Sequence, residues 1–192
     1  MISNNNIFKV VHNDLLPQPG RLLISEPFLR DAYFQRSVVL LVEHSGDTGS
    51  MGFILNKKTD MTINMLFSEF EHLPEIPIYL GGPVASNRLF FVHSLGNTVV
   101  PNSFAINDHL YFDGDFDALR DYMLSGNSIH DKVKFFIGYS GWEKGQLKDE
   151  IKANSWAVGH ADDQRVFWKH SVVNLGEQYR PWIQFPKDPF LN

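Results

Sequence analysis

The chain has 192 residues, 43% hydrophobic and 14% aromatic, enough to bury a core without disulfides or a structural metal. That composition excludes a disordered tail, a collagen-like chain and a mini-protein, and the absence of cysteine removes thiolate nucleophiles, cysteine-ligated zinc and iron–sulfur clusters. A net charge of −5, with 17 Lys and Arg dispersed between Lys9 and Lys187, disfavours direct nucleic-acid binding through clustered cations.

In chain order, residues 1–19 read as a polar lead-in or a short helix around Ile7 to Leu15, without the basic start and apolar stretch of a secretory signal. Strands are predicted at Leu22 to Ser25, Ser37 to Glu43 and Met51 to Asn56, the last two joined by a Gly-bearing hairpin loop. The run Val38 to Val42 is five apolar residues, against about 20 for a membrane-crossing helix, so no span is expected and a cytoplasmic location is the default. Ile63, Leu66, Phe67 and Phe70 fall on one helical stripe, which predicts a helix from Thr62 to Phe70 capped by Asp60 or Thr62. Further strands are predicted at Ile78 to Leu80, Leu89 to His93, Leu110 to Phe112 and Val133 to Tyr139. Helices follow at Asp115 to Ser125, stopped by Gly126, and at Gln146 to Asn154. Val38 to Val42 and Phe135 to Ile137 leave no polar face, so both should be central strands covered on both sides. Residues 179–192 carry three prolines among aromatics and read as an extended tail. No repeat or linker interrupts the chain, and one α+β domain over 1–192 is the economical reading.

The sequence lacks a P-loop, a dinucleotide-binding glycine motif and a zincin helix, and its eight histidines show no close metal-pair spacing. No cofactor and no metal is expected. Gly138-Tyr139-Ser140-Gly141-Trp142 follows an apolar strand and precedes a helix, the context of a nucleophile elbow, but Trp142 stands where that motif requires glycine. A serine hydrolase using Ser140 would need a base such as His93 or His44, whereas a tight turn shaped by its glycines needs nothing more. The same turn, with Lys144 and Lys148 near a helix start, offers backbone N–H groups to a small anion. Arg36, directly before an apolar strand, offers a guanidinium to a carboxylate or a ligand.

Gly20 to Ser25, Phe34 to Val39, Met51 to Asn56, Gly81-Gly82-Pro83-Val84 and Gly138 to Trp142, extended by Gly145-Gln146-Leu147, Glu150 and Trp156, together resemble the bacterial YqgE/AlgH family. The resemblance implies helices packed on a strongly bent, partly barrel-like mixed or antiparallel sheet. It implies no defined biochemical activity, since members carry the label of transcriptional regulator through a link to alginate regulation. Two departures bear on mechanism: members commonly carry alanine at Ser140, and an Arg-Pro pair at Lys57-Lys58. The resulting expectation is a non-catalytic regulatory or interaction protein acting through a protein partner or a small anionic ligand. Its candidate ligand-binding residues are Arg36, Asn56 and His93, then Gly138, Tyr139, Ser140 and Gly141 in the turn, and Lys144 and Gln146 beyond it.

Overall fold

The computed structural model describes residues 9–10, 15–26, 29–160 and 183–184. Its strands are β1 (Lys9–Val10), β2 (Arg21–Ser25), β3 (Val38–Ser45), β4 (Gly49–Ile54), β5 (Lys58–Thr62), β6 (Pro77–Leu80), β7 (Val84–His93), β8 (Phe104–Ala105), β9 (Tyr111–Phe112), β10 (Val133–Trp142), β11 (Trp156–His160) and β12 (Ile183–Gln184). Among the described residues three α-helices accompany them: α1 (Ile63–Leu66), α2 (Phe116–Leu124) and α3 (Gln146–Lys152). The class is α+β with a mostly antiparallel sheet. Among the described residues the sheet is open, running β11-β2-β3-β4-β10-β7-β9-β8, with β6 attached parallel to β10 and β5 antiparallel to β6.

β10 organises this sheet. Along its first half it pairs with β7 and β6, and from Ser140 to Trp142 it pairs with β4. Successive apolar residues send side chains to opposite faces of a strand, which is why its core needs cover on both sides. Phe136 joins Leu40, Phe53, Tyr79 and Phe90 in one buried cluster, whereas Phe135 joins Ile63, Phe70, Phe91, Leu119 and Met123 in another, beside α2. A third cluster gathers Leu23, Val39, Ile54, Trp142 and Trp156 with Leu147 of α3. Each fully buried side chain of this size stabilises by about 1.5–3 kcal/mol, so the double-sided strands anchor the fold. No helix among the described residues is long and apolar enough to cross a membrane.

Several boundaries depart from the sequence reading. The stripe at 62–70 is not one helix: α1 stops at Leu66, Phe67 is extended, and a separate 3-10 turn covers Ser68–Phe70. Thr62 caps α1 as expected, but the Asn64 side chain donates to the carbonyls of Phe70 and Leu73 and accepts from the Ile76 amide, tying the turn down locally. With those groups satisfied, Ile63 and Phe70 are both fully buried without a continuous helix. Lys9–Val10, placed in the possible amino-terminal helix, is strand β1 paired with β12, and Leu15 is not helical; residues 7–8 and 11–14 of that helix and most of the tail lie outside the described residues. β5, β8 and β11 were not expected. Asp115 caps α2 through the Ala118 amide, and Gly126, at φ +84°, follows its end as anticipated.

Candidate functional site

The Gly138 to Trp142 segment is strand, not a strand–turn–helix elbow. β10 continues through it, with an irregularity in the β7 pairing between Ile137 and Tyr139 where Gly138 adopts φ +68°. A Cβ on Gly138 would lie 2.5 Å from the Gly82 carbonyl oxygen, and one on Gly82 would lie 2.4 Å from the Ser140 nitrogen. The two glycine motifs of the sequence thus face each other as one crossing of backbones. Ser140 is completely buried, and its hydroxyl donates to the Gly81 carbonyl at 2.9 Å. His93 pairs with Val133, seven residues along β10 from Ser140 and about 20 Å away at strand rise. The hydrogen bond that would join this histidine to this serine is absent.

His93 has its own enclosed partners. The Leu95 amide donates to Nδ1, which leaves Nε2–H to donate to Ser103 Oγ at 2.9 Å and to the Asp113 carbonyl at 3.2 Å. Ser103 in turn donates to the Val100 carbonyl. Burial lowers the His93 pKa, with the Asp113 hydrogen bond opposing, so the neutral ring is favoured as a clamp on the 95–113 segment. His44 bonds Ser50 through Nδ1 at 2.7 Å, and burial lowers its pKa too.

The remaining candidates sit in separate structural roles. Asn56 accepts from the Val38 amide and donates to the Arg36 carbonyl, so these two residues meet through backbone, with the Arg36 side chain exposed. Lys57, one of the family departures, donates to the Tyr33 carbonyl at 2.6 Å and holds the turn before β3. Tyr139 packs edge-on against Phe90, and Gly141 lies beside the Tyr139 ring. Lys144 pairs with Asp47 at 3.2 Å on the surface. Gln146 accepts from the Glu143 amide and donates to Glu150, whose other oxygen accepts from the indole N–H groups of both Trp142 and Trp156. The sequence candidates are therefore distributed over the sheet rather than gathered in one cleft.

A cavity of about 370 Å³ lies at the opposite end of β10 from Ser140. Leu73 and Ile76 from the approach to β6, Met123 from α2, Ile129 from the following loop and Val133 give it apolar walls. Tyr79 and Lys134 line it as well. Lys134 and Tyr79 meet because β6 runs parallel to β10 in the register Phe136 to Tyr79, and Lys134, two residues before Phe136, shares its face. The Lys134 ammonium lies 4.4 Å from the Tyr79 ring centre and donates to the Leu55 carbonyl at 3.5 Å. Only 6% of Lys134 is exposed. Burial pushes its pKa down to about 8 and Asp131 opposes the shift, so the group is still mostly cationic at neutral pH. Burial also raises the Tyr79 pKa. Neither residue stood out in the sequence, although a single lysine inside an otherwise apolar central strand was the available signal.

Fold and site define a class: an α+β protein with an open, mostly antiparallel sheet and a small-molecule-sized cavity carrying a buried cation. The AlgH-like family model matches residues 22–179, and the chain belongs to that family, the YqgE/AlgH or UPF0301 proteins. A UPF0301 protein of Parabacteroides distasonis is 60% identical over the full length of both chains, and one of Bacteroides fragilis is 44% identical over 98% of each. The fold is shared with a crystallographically determined protein of Corynebacterium diphtheriae at TM-score 0.74 and 21% identity, covering 92% of this chain and 98% of that one. It is shared too with the solution structure of the AlgH protein of Pseudomonas aeruginosa at TM-score 0.66 and 24% identity, covering 83% and 87%.

Proposed function

We propose that this chain is a non-catalytic regulatory or interaction protein that works by holding a small ligand in the cavity at the start of β10. The cavity carries the reading: its volume of about 370 Å³ lies in the range of small-molecule sites, and mainly apolar walls interrupted by polar groups are what such sites contain. The sequestered Ser140 hydroxyl, already donating to Gly81 and far from His93, supports a binding role over acyl transfer. Net charge of −5 supports regulation through a ligand or a protein partner in the cytoplasm rather than through direct contact with DNA.

Thermal-shift screening of metabolites tests this. A ligand at 100 times its Kd stabilises by about 2.7 kcal/mol, a rise of roughly 5–10 °C for a chain of this size. The rise is expected to vanish in Ile129→Trp, where the indole fills the cavity. Robust ester or amide hydrolysis that disappears in Ser140→Ala would replace this reading with the hydrolase.

A further inference from the structure

We infer that the corner where α1 and the turn after it pack on α2 docks a basic amphipathic segment of a partner protein, its apolar side on Met65, Leu66 and Leu124 and its cations against Glu69, Asp117 and Asp121. This face is separate from the β10 cavity and stands or falls without a cavity ligand.

The backbone itself presents the apolar part. Ile63, Leu66, Phe67 and Phe70 have the spacing of a buried stripe, yet only Ile63 and Phe70 are fully enclosed. Because α1 ends at Leu66 and Phe67 is extended, Leu66 leaves the stripe and stands 43% exposed, beside Met65 at 70%. Asn64 fixes that break. Its amide donates to the Phe70 and Leu73 carbonyls and its oxygen accepts from the Ile76 amide, so the two apolar side chains are held outward by a braced turn. The rings of Phe67 and Phe116 lie 5.3 Å apart, which sets the end of α1 beside the first turn of α2. Leu124, 41% exposed, follows Arg120 by about one turn on α2 and extends the same surface. Among the described residues, three of the seven large apolar side chains open to solvent belong to this corner, whereas the others sit singly on separate segments. Isolated exposed apolar residues are ordinary; a group rimmed by charge marks a contact surface.

Charge selects the occupant. Arg120 of α2 is met by Asp117 at 2.7 Å, Asp121 at 3.3 Å and Glu69 of the 3-10 turn at 3.9 Å, three exposed carboxylates against one guanidinium. Glu71 adds a further exposed carboxylate at the end of the same turn. An excess of negative charge around apolar surface is complementary to Lys and Arg on the flanks of an apolar stripe, the pattern of an amphipathic helix laid on a groove. Nucleic acid and anionic lipid are repelled by the same carboxylates. A second copy of this chain fits poorly as well, because a two-fold contact through this face sets like charges opposite one another in a protein of net charge −5. Met65 suits the role, since its flexible thioether adapts to neighbours of different shape.

Isothermal titration of the full-length chain with three helical peptides of about 18 residues tests this. One carries leucine on one face and lysine on the other, the second replaces its lysines by glutamate, and the third replaces its leucines by serine. The leucine–lysine peptide is expected to bind about tenfold or more tighter than either of the others at low salt, with its lead over the glutamate peptide narrowing as salt is raised. Met65→Ser combined with Leu66→Ser is expected to weaken it by at least about tenfold, the order of one lost apolar contact. Phe104→Ser, which removes exposed apolar surface on β8 instead, is expected to leave the affinity unchanged. All three positions are exposed, so the variants keep the fold. Equal binding of the serine–lysine peptide reduces the contact to general charge attraction and overturns the docking surface, and equal binding of the leucine–glutamate peptide overturns the basic partner. Binding of none of the peptides, or a loss in Phe104→Ser as large as in the double variant, overturns the assignment. So does dimerisation of the wild-type chain in sedimentation that the double variant abolishes, because a second copy is then the occupant.

Discussion

At the scale of single residues, Lys134 and Ser140 invert what their surroundings in the sequence suggest. Ser140 sits in the most conspicuous motif of the chain, yet its hydroxyl serves the backbone, donating to a carbonyl of the neighbouring Gly81-Gly82 segment. Lys134 sits in an unremarked strand and carries the buried charge. The difference arises because a motif advertises local conformation, whereas burial depends on what the rest of the chain lays over a residue. The cost of that charge gives a testable sign. Folding lowers the Lys134 pKa from 10.5 to about 8, so between those values the unfolded chain binds more protons and stability rises with pH. Below about pH 8 both states are protonated and the full penalty, about 3 kcal/mol, is present. Lys134→Met removes it. Guanidinium denaturation is expected to find the variant more stable than wild type at pH 7, by up to about 3 kcal/mol, with the gap narrowing towards pH 9.5. A variant less stable at pH 7 would mean that the ammonium is a net stabilising partner.

Elements divide into those whose pattern is local and those made by pairing. β2, β3, β4, β6, β7, β9 and β10 overlap the predicted strands because β-branched and aromatic runs bounded by Gly or Pro already specify an extended, doubly covered strand. α2 was legible from its Asp115 cap, apolar stripe and Gly126 stop. The 62–70 stripe misled because the same spacing buries Ile63 and Phe70 through a turn held by Asn64, a side-chain bond that periodicity does not report. β5, β8 and β11 are edge or near-edge pieces whose existence depends on partners distant in sequence, such as β11 on β2. The Gly-rich motifs were legible as shape and misplaced as a turn: each glycine is needed for the approach of the other segment. Gly138→Ala therefore combines a strained positive φ with a Cβ 2.5 Å from the Gly82 oxygen. It is expected to lower unfolding stability by at least about 2 kcal/mol in urea denaturation, where an ordinary surface Gly→Ala change would shift it by a few tenths. A near-neutral result would show that the crossing can separate without loss.

At the scale of the whole molecule, the cavity belongs to no single element. Its walls come from the approach to β6, the end of α2, the loop after it and the start of β10, segments brought together only when β6 pairs parallel to β10 beside α2. That assembly is why the glycines and lysines clustered near 138–145 point to a ligand there, whereas the observed space lies at the other end of the same strand. Binding should leave a matching footprint. The 126–131 loop is largely exposed and linked to the sheet through few hydrogen bonds, so its local opening is a low-energy event compared with opening of β3 or β10. A ligand held in the cavity would stabilise the closed form and slow hydrogen exchange there. Exchange mass spectrometry with and without a saturating ligand taken from the thermal-shift screen is expected to show added protection over 73–77 and 126–134, with β2, β3 and β11 unchanged. Protection centred on 138–146 instead would return the binding site to the glycine-lined segment and leave the β10 cavity as packing space alone.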